Sequence, residues 1–206
     1  MVSRSLALNG EINRRSARRI IKGLRRFAKS SRKPIYLFIN SRKGGYWDET
    51  TKICETILAL KAPVITIGLD AVLSSAAAIF ACGSLRLVFK DFIFGYHKIW
   101  WEVDRSRVGN KMTDDDLLKL VEKLRSDTKE YVSYCTRRLS SHLCPCKFTP
   151  KQLLSRISKL KKMKKECYIF CGEEARQNGF ADACIKSCKE ILCYGALLLQ
   201  KRAKRR

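Results

Sequence analysis

Short apolar runs alternate with amphipathic stretches along the first half of the chain. Residues 4–9 (RSLALN) alternate as a half-buried strand does, and Gly10 breaks the run. Over 14–29, Ile20, Ile21, Leu24, Phe27 and Ala28 recur at helical spacing, with arginines and lysines on the other face. That pattern predicts an amphipathic helix, closed off before Pro34. IYLFIN (35–40) is a compact apolar run of the kind buried in parallel sheets. SRKGG (41–45) is a turn with two glycines. Residues 48–60 read as a helix with Ile53, Ile57 and Leu60 on one face. PVITIGL (63–69) is a second buried strand, and 74–82 is a helix of small residues. LRLVF (85–89) and FIFGYH (92–97) are further strands around the Lys90-Asp91 turn.

This order of elements implies βαβ units on a parallel sheet, an α/β fold. The pattern changes at Thr113. A capping hydroxyl followed by three aspartates satisfies free N–H groups and the helix dipole. It opens a long helix to about Arg138. Thr149-Pro150 starts another helix, over 150–164. YIF (168–170) reads as a strand and GEEARQNG as a short helix stopped by Gly179. The tail KRAKRR is expected to be solvated and without structure. No internal repeat or Pro/Gly/Ser linker divides the 206 residues, which suit a single domain.

Composition narrows the partners. With 46% hydrophobic residues the chain can bury a sizeable core. The longest apolar run, 63–83, is broken by Asp70 and two serines, so no membrane span is expected. Lys plus Arg number 43 against 19 acidic residues, a formal charge of +24, which raises nucleic acid or an anionic surface as partners. The basic residues are spread over 14–33, 42–43, 151–165 and 201–206, with no RNP, zinc-finger or basic-zipper pattern. Specific nucleic-acid recognition is therefore not expected, and compositional bias is the plain alternative. MVSRSLALNGEINRR lacks the apolar core of a signal peptide. The ten cysteines are accordingly read as reduced thiols in the cytoplasm or an organelle stroma or matrix. His142, Cys144 and Cys146 have ligand types, but the CxC spacing stands without a second pair; no metal or cofactor is expected.

Three chemical features fall at strand ends. Asn40-Ser41 leads into Gly44-Gly45, PVITIGL leads towards Ser74-Ser75, and FIFGYH ends at His97. A serine nucleophile needs a base within hydrogen-bond reach and N–H groups aimed at the developing oxyanion. Glycines let backbone approach a substrate closely. The plainer alternatives are that Ser74 caps a helix and that His97 is a core histidine. Ser75, in the same first turn, is a rival nucleophile.

Together these stretches resemble ClpP, the proteolytic subunit of the ATP-dependent Clp protease, from about residue 4 to 185. IYLFINSRKGG is similar to that family's strand and SPGG segment. Ser74 stands nine residues before Gly83, as the family's nucleophile stands before its own glycine. FGYH falls about where the family has a strand-ending histidine. GEEARQNGFADACI resembles the closing segment, with an EA pair, then a Gly, then an Asp. The resemblance implies a crotonase-type ββα spiral in one domain over 1–206. A handle would lie at about 102–165, its long helical part within 102–140, and a basic tail at about 200–206. It implies Ser74 as nucleophile, His97 as general base, and the N–H groups of Gly45 and Ser75 as oxyanion hole. It also implies unfolded polypeptide as substrate, homo- or hetero-oligomeric rings, and an AAA+ unfoldase as partner.

Four positions depart from the family pattern. SRKGG is one residue longer than SPGG and lacks its proline. Asp70 stands where a glycine is usual. Lys98-Ile99 follow the histidine in place of Gln-Pro. Cys167 aligns with the third triad position, and the adjacent Glu166 points to the opposite face of a strand. A neutral thiol cannot stabilise an imidazolium as a carboxylate does, and losing the orienting acid costs roughly 10⁴ in rate in serine proteases. Two alternatives stay open: a serine endopeptidase, or a weak or inactive ring subunit that co-assembles with an active paralogue.

Overall fold

In the computed structural model the structure describes residues 3–96, 114–140, 149, 151, 152, 155 and 168–203. The elements in chain order are β1 (Ser5–Asn9), α1 (Arg14–Ser30), β2 (Ile35–Ser41), α2 (Trp47–Ala59), β3 (Val64–Leu73), α3 (Ala76–Ala81), β4 (Leu85–Phe89) and β5 (Ile93–Tyr96). They continue with α4 (Asp114–Ser140), β6 (Tyr168–Cys171), α5 (Gly172–Gln177), β7 (Ala183–Ile185) and α6 (Cys188–Ala203). The strands lie in one sheet whose main path is β1-β2-β3-β4-β7, every neighbour parallel. The second half of β3 pairs instead with β5, in parallel, and β5 carries β6 antiparallel on its other edge.

The uninterrupted apolar run of β2 is explained by cover on both faces. Ile35, Leu37 and Ile39 enter a core with Ile20 and Leu24 of α1, Ile53 of α2 and Ile79 of α3. Tyr36 and Phe38 enter a second core with Ile65, Ile67, Leu85 and Leu87, closed by Ile191 and Tyr194 of α6. Each such aliphatic side chain removed from water contributes about 1.5–3 kcal/mol. α1 starts on a capping box. Asn13 Oδ1 accepts from the N–H groups of Arg15 and Ser16 at 3.1 and 3.0 Å, and Asn13 N–H donates to Ser16 Oγ at 2.9 Å.

The closing segment is fastened from inside the sheet. Arg86 of β4 is fully buried, and its guanidinium meets Asp182 at 2.9 Å (Nη2 to Oδ1) and 3.1 Å (Nε to Oδ2). Arg86 Nη1 donates to the Gly179 carbonyl at 3.0 Å, and Asp182 Oδ2 also accepts the Arg86 N–H at 2.8 Å. A buried guanidinium without its carboxylate would cost about 3–5 kcal/mol. The Gly and Asp of GEEARQNGFADACI thus hold β7 against β4.

The sequence reading needs correcting at four places. α3 begins at Ala76 rather than residue 74, because the chain first makes a tight turn at Ser74-Ser75. β3 runs on to Leu73, four residues beyond PVITIGL. The strand β7 and the helix α6 were not predicted, and α6 continues to Ala203, so the first three residues of KRAKRR are helical. The apolar positions of α6 close the second core, a demand that comes from the sheet rather than from local pattern. The helix expected over 150–164 lies outside the described residues except at 151, 152 and 155, which are helical.

Candidate active site

β3 ends in a sharp strand–turn–helix junction. Ser74 takes φ 58°, the left-handed region, and Ser75 turns into α3 with φ −58° and ψ −24°. A side-chain-bearing residue in that region costs about 1–2 kcal/mol, so its neighbours must hold it. They do so at both of its peptide groups. The Ser74 N–H donates to the Gly95 carbonyl at 3.1 Å. Its own carbonyl accepts the Ala77 N–H at 3.0 Å and the Tyr131 hydroxyl at 2.5 Å. Neither serine caps the helix with its side chain: the Ser75 hydroxyl donates instead to the Gly45 carbonyl at 3.1 Å.

That bond ties the turn to the glycine loop. Ser41, fully buried at the end of β2, accepts the Gly44 N–H on its hydroxyl at 3.2 Å. Gly44 and Gly45 follow with φ of 66° and 149°, values only glycine adopts without strain. A Cβ on Gly44 would stand 2.6 Å from Ser74 Cβ, 2.8 Å from Ser74 Oγ and 3.1 Å from the Ser75 nitrogen. The bare α-carbon of Gly44 therefore packs directly on the Ser74 side chain. Gly45 forms a parallel bridge with Ile12. The bridge uses the Gly44 carbonyl, 2.7 Å from the Ile12 N–H, and the Tyr46 N–H, 2.9 Å from the Ile12 carbonyl. Gly45 thus turns its own N–H and C=O away from Ile12, on the side where Ser75 binds the carbonyl. No hydrogen bond among the described residues claims the N–H of Gly45 or that of Ser75.

Two departures from the SPGG pattern meet in space. β2 and β3 stay in register to Ile39 and Gly68, and pairing resumes at Ser41 and Val72. Two residues of β3, Leu69 and Asp70, are therefore squeezed out of the ladder and exposed. Asp70 accepts Arg42 Nη2 on Oδ1 at 2.9 Å and Arg42 Nε on Oδ2 at 3.0 Å. Arg42 of the glycine loop is thereby tied to the bulge. With side-chain exposures of 60% and 48%, the pair is worth less than about 1 kcal/mol, enough to bias a loop but not to fold one.

β5 brings the chain alongside the turn: Leu73 pairs with Gly95, and Tyr96 ends the strand. His97 lies outside the described residues, as do Cys167 and the cluster of His142, Cys144 and Cys146. The remaining side of the junction is closed by α4. Tyr131 is buried, with its ring edge-on to Trp47 at 5.4 Å, and Tyr134 meets the same indole at 5.9 Å. The Tyr134 hydroxyl and Cys82 Sγ are 3.4 Å apart. Burial first, then the neighbouring Cys54 and Cys82 thiols, push the Tyr134 phenol above the ordinary tyrosine range. Sequence reasoning missed Tyr131. Its only local signal is an aromatic residue on a helix, and its partner Ser74 is 57 positions away. Among the described residues no group of acidic, histidine and cysteine side chains is arranged to hold a metal, and Cys54, Cys82, Cys171, Cys184, Cys188 and Cys193 form no disulfide.

A sequence model of the Clp protease family matches residues 1–89, the stretch that holds β1, β2, the glycine loop, β3 and the Ser74 turn. The ATP-dependent Clp protease proteolytic subunit 2 of Treponema denticola is 39% identical to this chain over 83 residues, 40% of this chain and 41% of that protein. The chain thus spans about two-fifths of the length of the curated relative it matches. The mixed α/β architecture with its largely parallel sheet is consistent with a ClpP-type fold. Over residues 1–89 the chain is thus similar to the Clp protease family.

Proposed function

We propose that this chain is a ClpP-type serine endopeptidase subunit that cleaves unfolded polypeptide within an oligomeric ring. The observation that carries the reading is the junction of a left-handed Ser74 with a side-chain-free Gly44 packed on its hydroxyl. Ser74 Oγ attacks the scissile carbonyl and gives its proton to His97, one residue past the strand that pairs with the Ser74 turn. The N–H groups of Gly45 and Ser75 receive the oxyanion, and His97 returns the proton to the leaving amine. Water then releases the acyl group by the same route. The third position is the weak point. The last described pair of the β5–β6 ladder is Tyr96 with Tyr168, the sequence neighbours of His97 and Cys167. A thiol at 167 leaves the imidazolium without a carboxylate, and turnover is expected to be roughly 10⁴ below that of a complete triad.

That deficit, with the altered loop and Asp70, favours a second reading. The chain would then be a weak or inactive member of a mixed ring whose active paralogue does the cleavage. An AAA+ unfoldase would supply substrate in either case, in the cytoplasm or an organelle stroma or matrix. A fluorophosphonate probe distinguishes the two. Labelling of the wild type and none of Ser74→Ala supports the peptidase. No labelling of Ser74 in any assembly condition overturns it in favour of the second reading.

A further inference from the structure

The geometry points to the outer face of α1 as a docking surface for a nucleic-acid phosphate backbone. In the helix RRSARRIIKGLRRFAKS, six arginines and two lysines accompany no carboxylate. All eight cations are exposed. At 3.6 residues per turn they fall within an arc of about 140°, over a length of roughly 22 Å. The opposite side, Ala17, Ile20 and Leu24, is sealed in the core. Among the described residues no ion pair neutralises any of the eight. Arg19 donates to the Ala7 carbonyl at 2.7 Å and Arg26 lies over the Phe27 ring at 5.1 Å, both without loss of charge.

A purely structural surface helix mixes signs, because like charges three and four residues apart repel. Here Arg14, Arg18, Lys22 and Arg26 form an i, i+4 row of like charge, and Arg25–Lys29 lies beside it. Such a face is relieved only by an anion from outside. Three partner classes differ in what else they require. A membrane-surface helix needs apolar side chains to insert, whereas Ala17, Ile20 and Leu24 of α1 are sealed in the core and Ile21, Phe27 and Ala28 pack against it. A protein interface needs an apolar or aromatic centre free of charge, and the arc holds nothing but cations. A phosphate backbone is bound by charge and by guanidinium forks, both of which the arc supplies.

The probe is a fluorescently labelled 20-nucleotide poly(U), with a 20-base-pair DNA duplex as a second arm, titrated by anisotropy between about 50 and 200 mM salt. Contact with about four phosphates of a single strand predicts a slope of log K against log salt near −3. The variant R14E/R18E/K22E/R25E should bind at least about 10-fold more weakly and with a flatter slope. The set K119E/K123E/R125E/K129E on exposed positions of α4 changes net charge equally and should stay within about 3-fold of the wild type. If the glutamate set loses its helical circular-dichroism signal, R14Q/R18Q/K22Q/R25Q replaces it. Equal losses in the α1 and α4 sets, no loss in either, or tighter binding of poly-glutamate or phosphatidylserine vesicles than of RNA would each overturn the assignment. None of these outcomes depends on whether Ser74 reacts with a fluorophosphonate.

Discussion

The hydroxyl of Tyr131, midway along α4, donates to the carbonyl of Ser74 at 2.5 Å. This bond joins α4 to the one strained non-glycine peptide unit of the β3–α3 junction. The Ser74 carbonyl also accepts the Ala77 N–H, so the turn has a second anchor. Tyr131→Phe keeps the ring against Trp47 and removes only the donor. It should lower folding stability by about 1 kcal/mol in urea titration. The rate of fluorophosphonate labelling should fall on the order of 10-fold, because slight displacement of a nucleophile is expensive. Unchanged labelling alongside the stability loss would reduce Tyr131 to a packing residue.

Ser74 itself should be a stability burden. Glycine populates the left-handed region without the Cβ clash, so Ser74→Gly should stabilise the fold by about 1 kcal/mol relative to Ser74→Ala. Both variants lose the hydroxyl, so the difference reports the strain of a Cβ at this φ, less the extra unfolded-chain entropy of glycine. Equal urea midpoints for the two would contradict the conformation described for residue 74.

The two loop glycines should fail in different ways. A Cβ at Gly45 would run into the Ile12 carbonyl, which is backbone and cannot step aside. Gly45→Ala should therefore cost about 3 kcal/mol of stability, combining steric overlap with strain at a φ of 149°. At Gly44 the overlap is smaller, 2.6 Å to Ser74 Cβ, and because that carbon is fixed to the backbone, relieving it means shifting the Ser74 turn itself. Gly44→Ala should cost less, about 1–2 kcal/mol, yet suppress labelling of Ser74 more strongly for the stability lost. The crossed ranking, thermal melts against labelling rates, is the measurement; parallel losses would mean the loop acts only as scaffold.

Much of the fold was legible along the chain. The runs IYLFIN and PVITIGL announced strands buried on both faces, and the 3.6-residue pattern over 14–29 announced α1, because periodicity records which face a local element hides. The meeting of Gly44-Gly45 with Ser74-Ser75 was also legible, since both pairs stand at the ends of runs that read as neighbouring strands. Tertiary structure decided the rest. The two-residue bulge at Leu69-Asp70, the Arg42–Asp70 pair, the left-handed turn at Ser74 and its bond to Tyr131 all depend on which strands and helices come to lie side by side. Local pattern says that an aromatic or a charge will be hidden or exposed. It does not say which backbone atom tens of residues away will be waiting for it, because that is set by the closure of the sheet and the docking of α4 rather than by any neighbour in sequence.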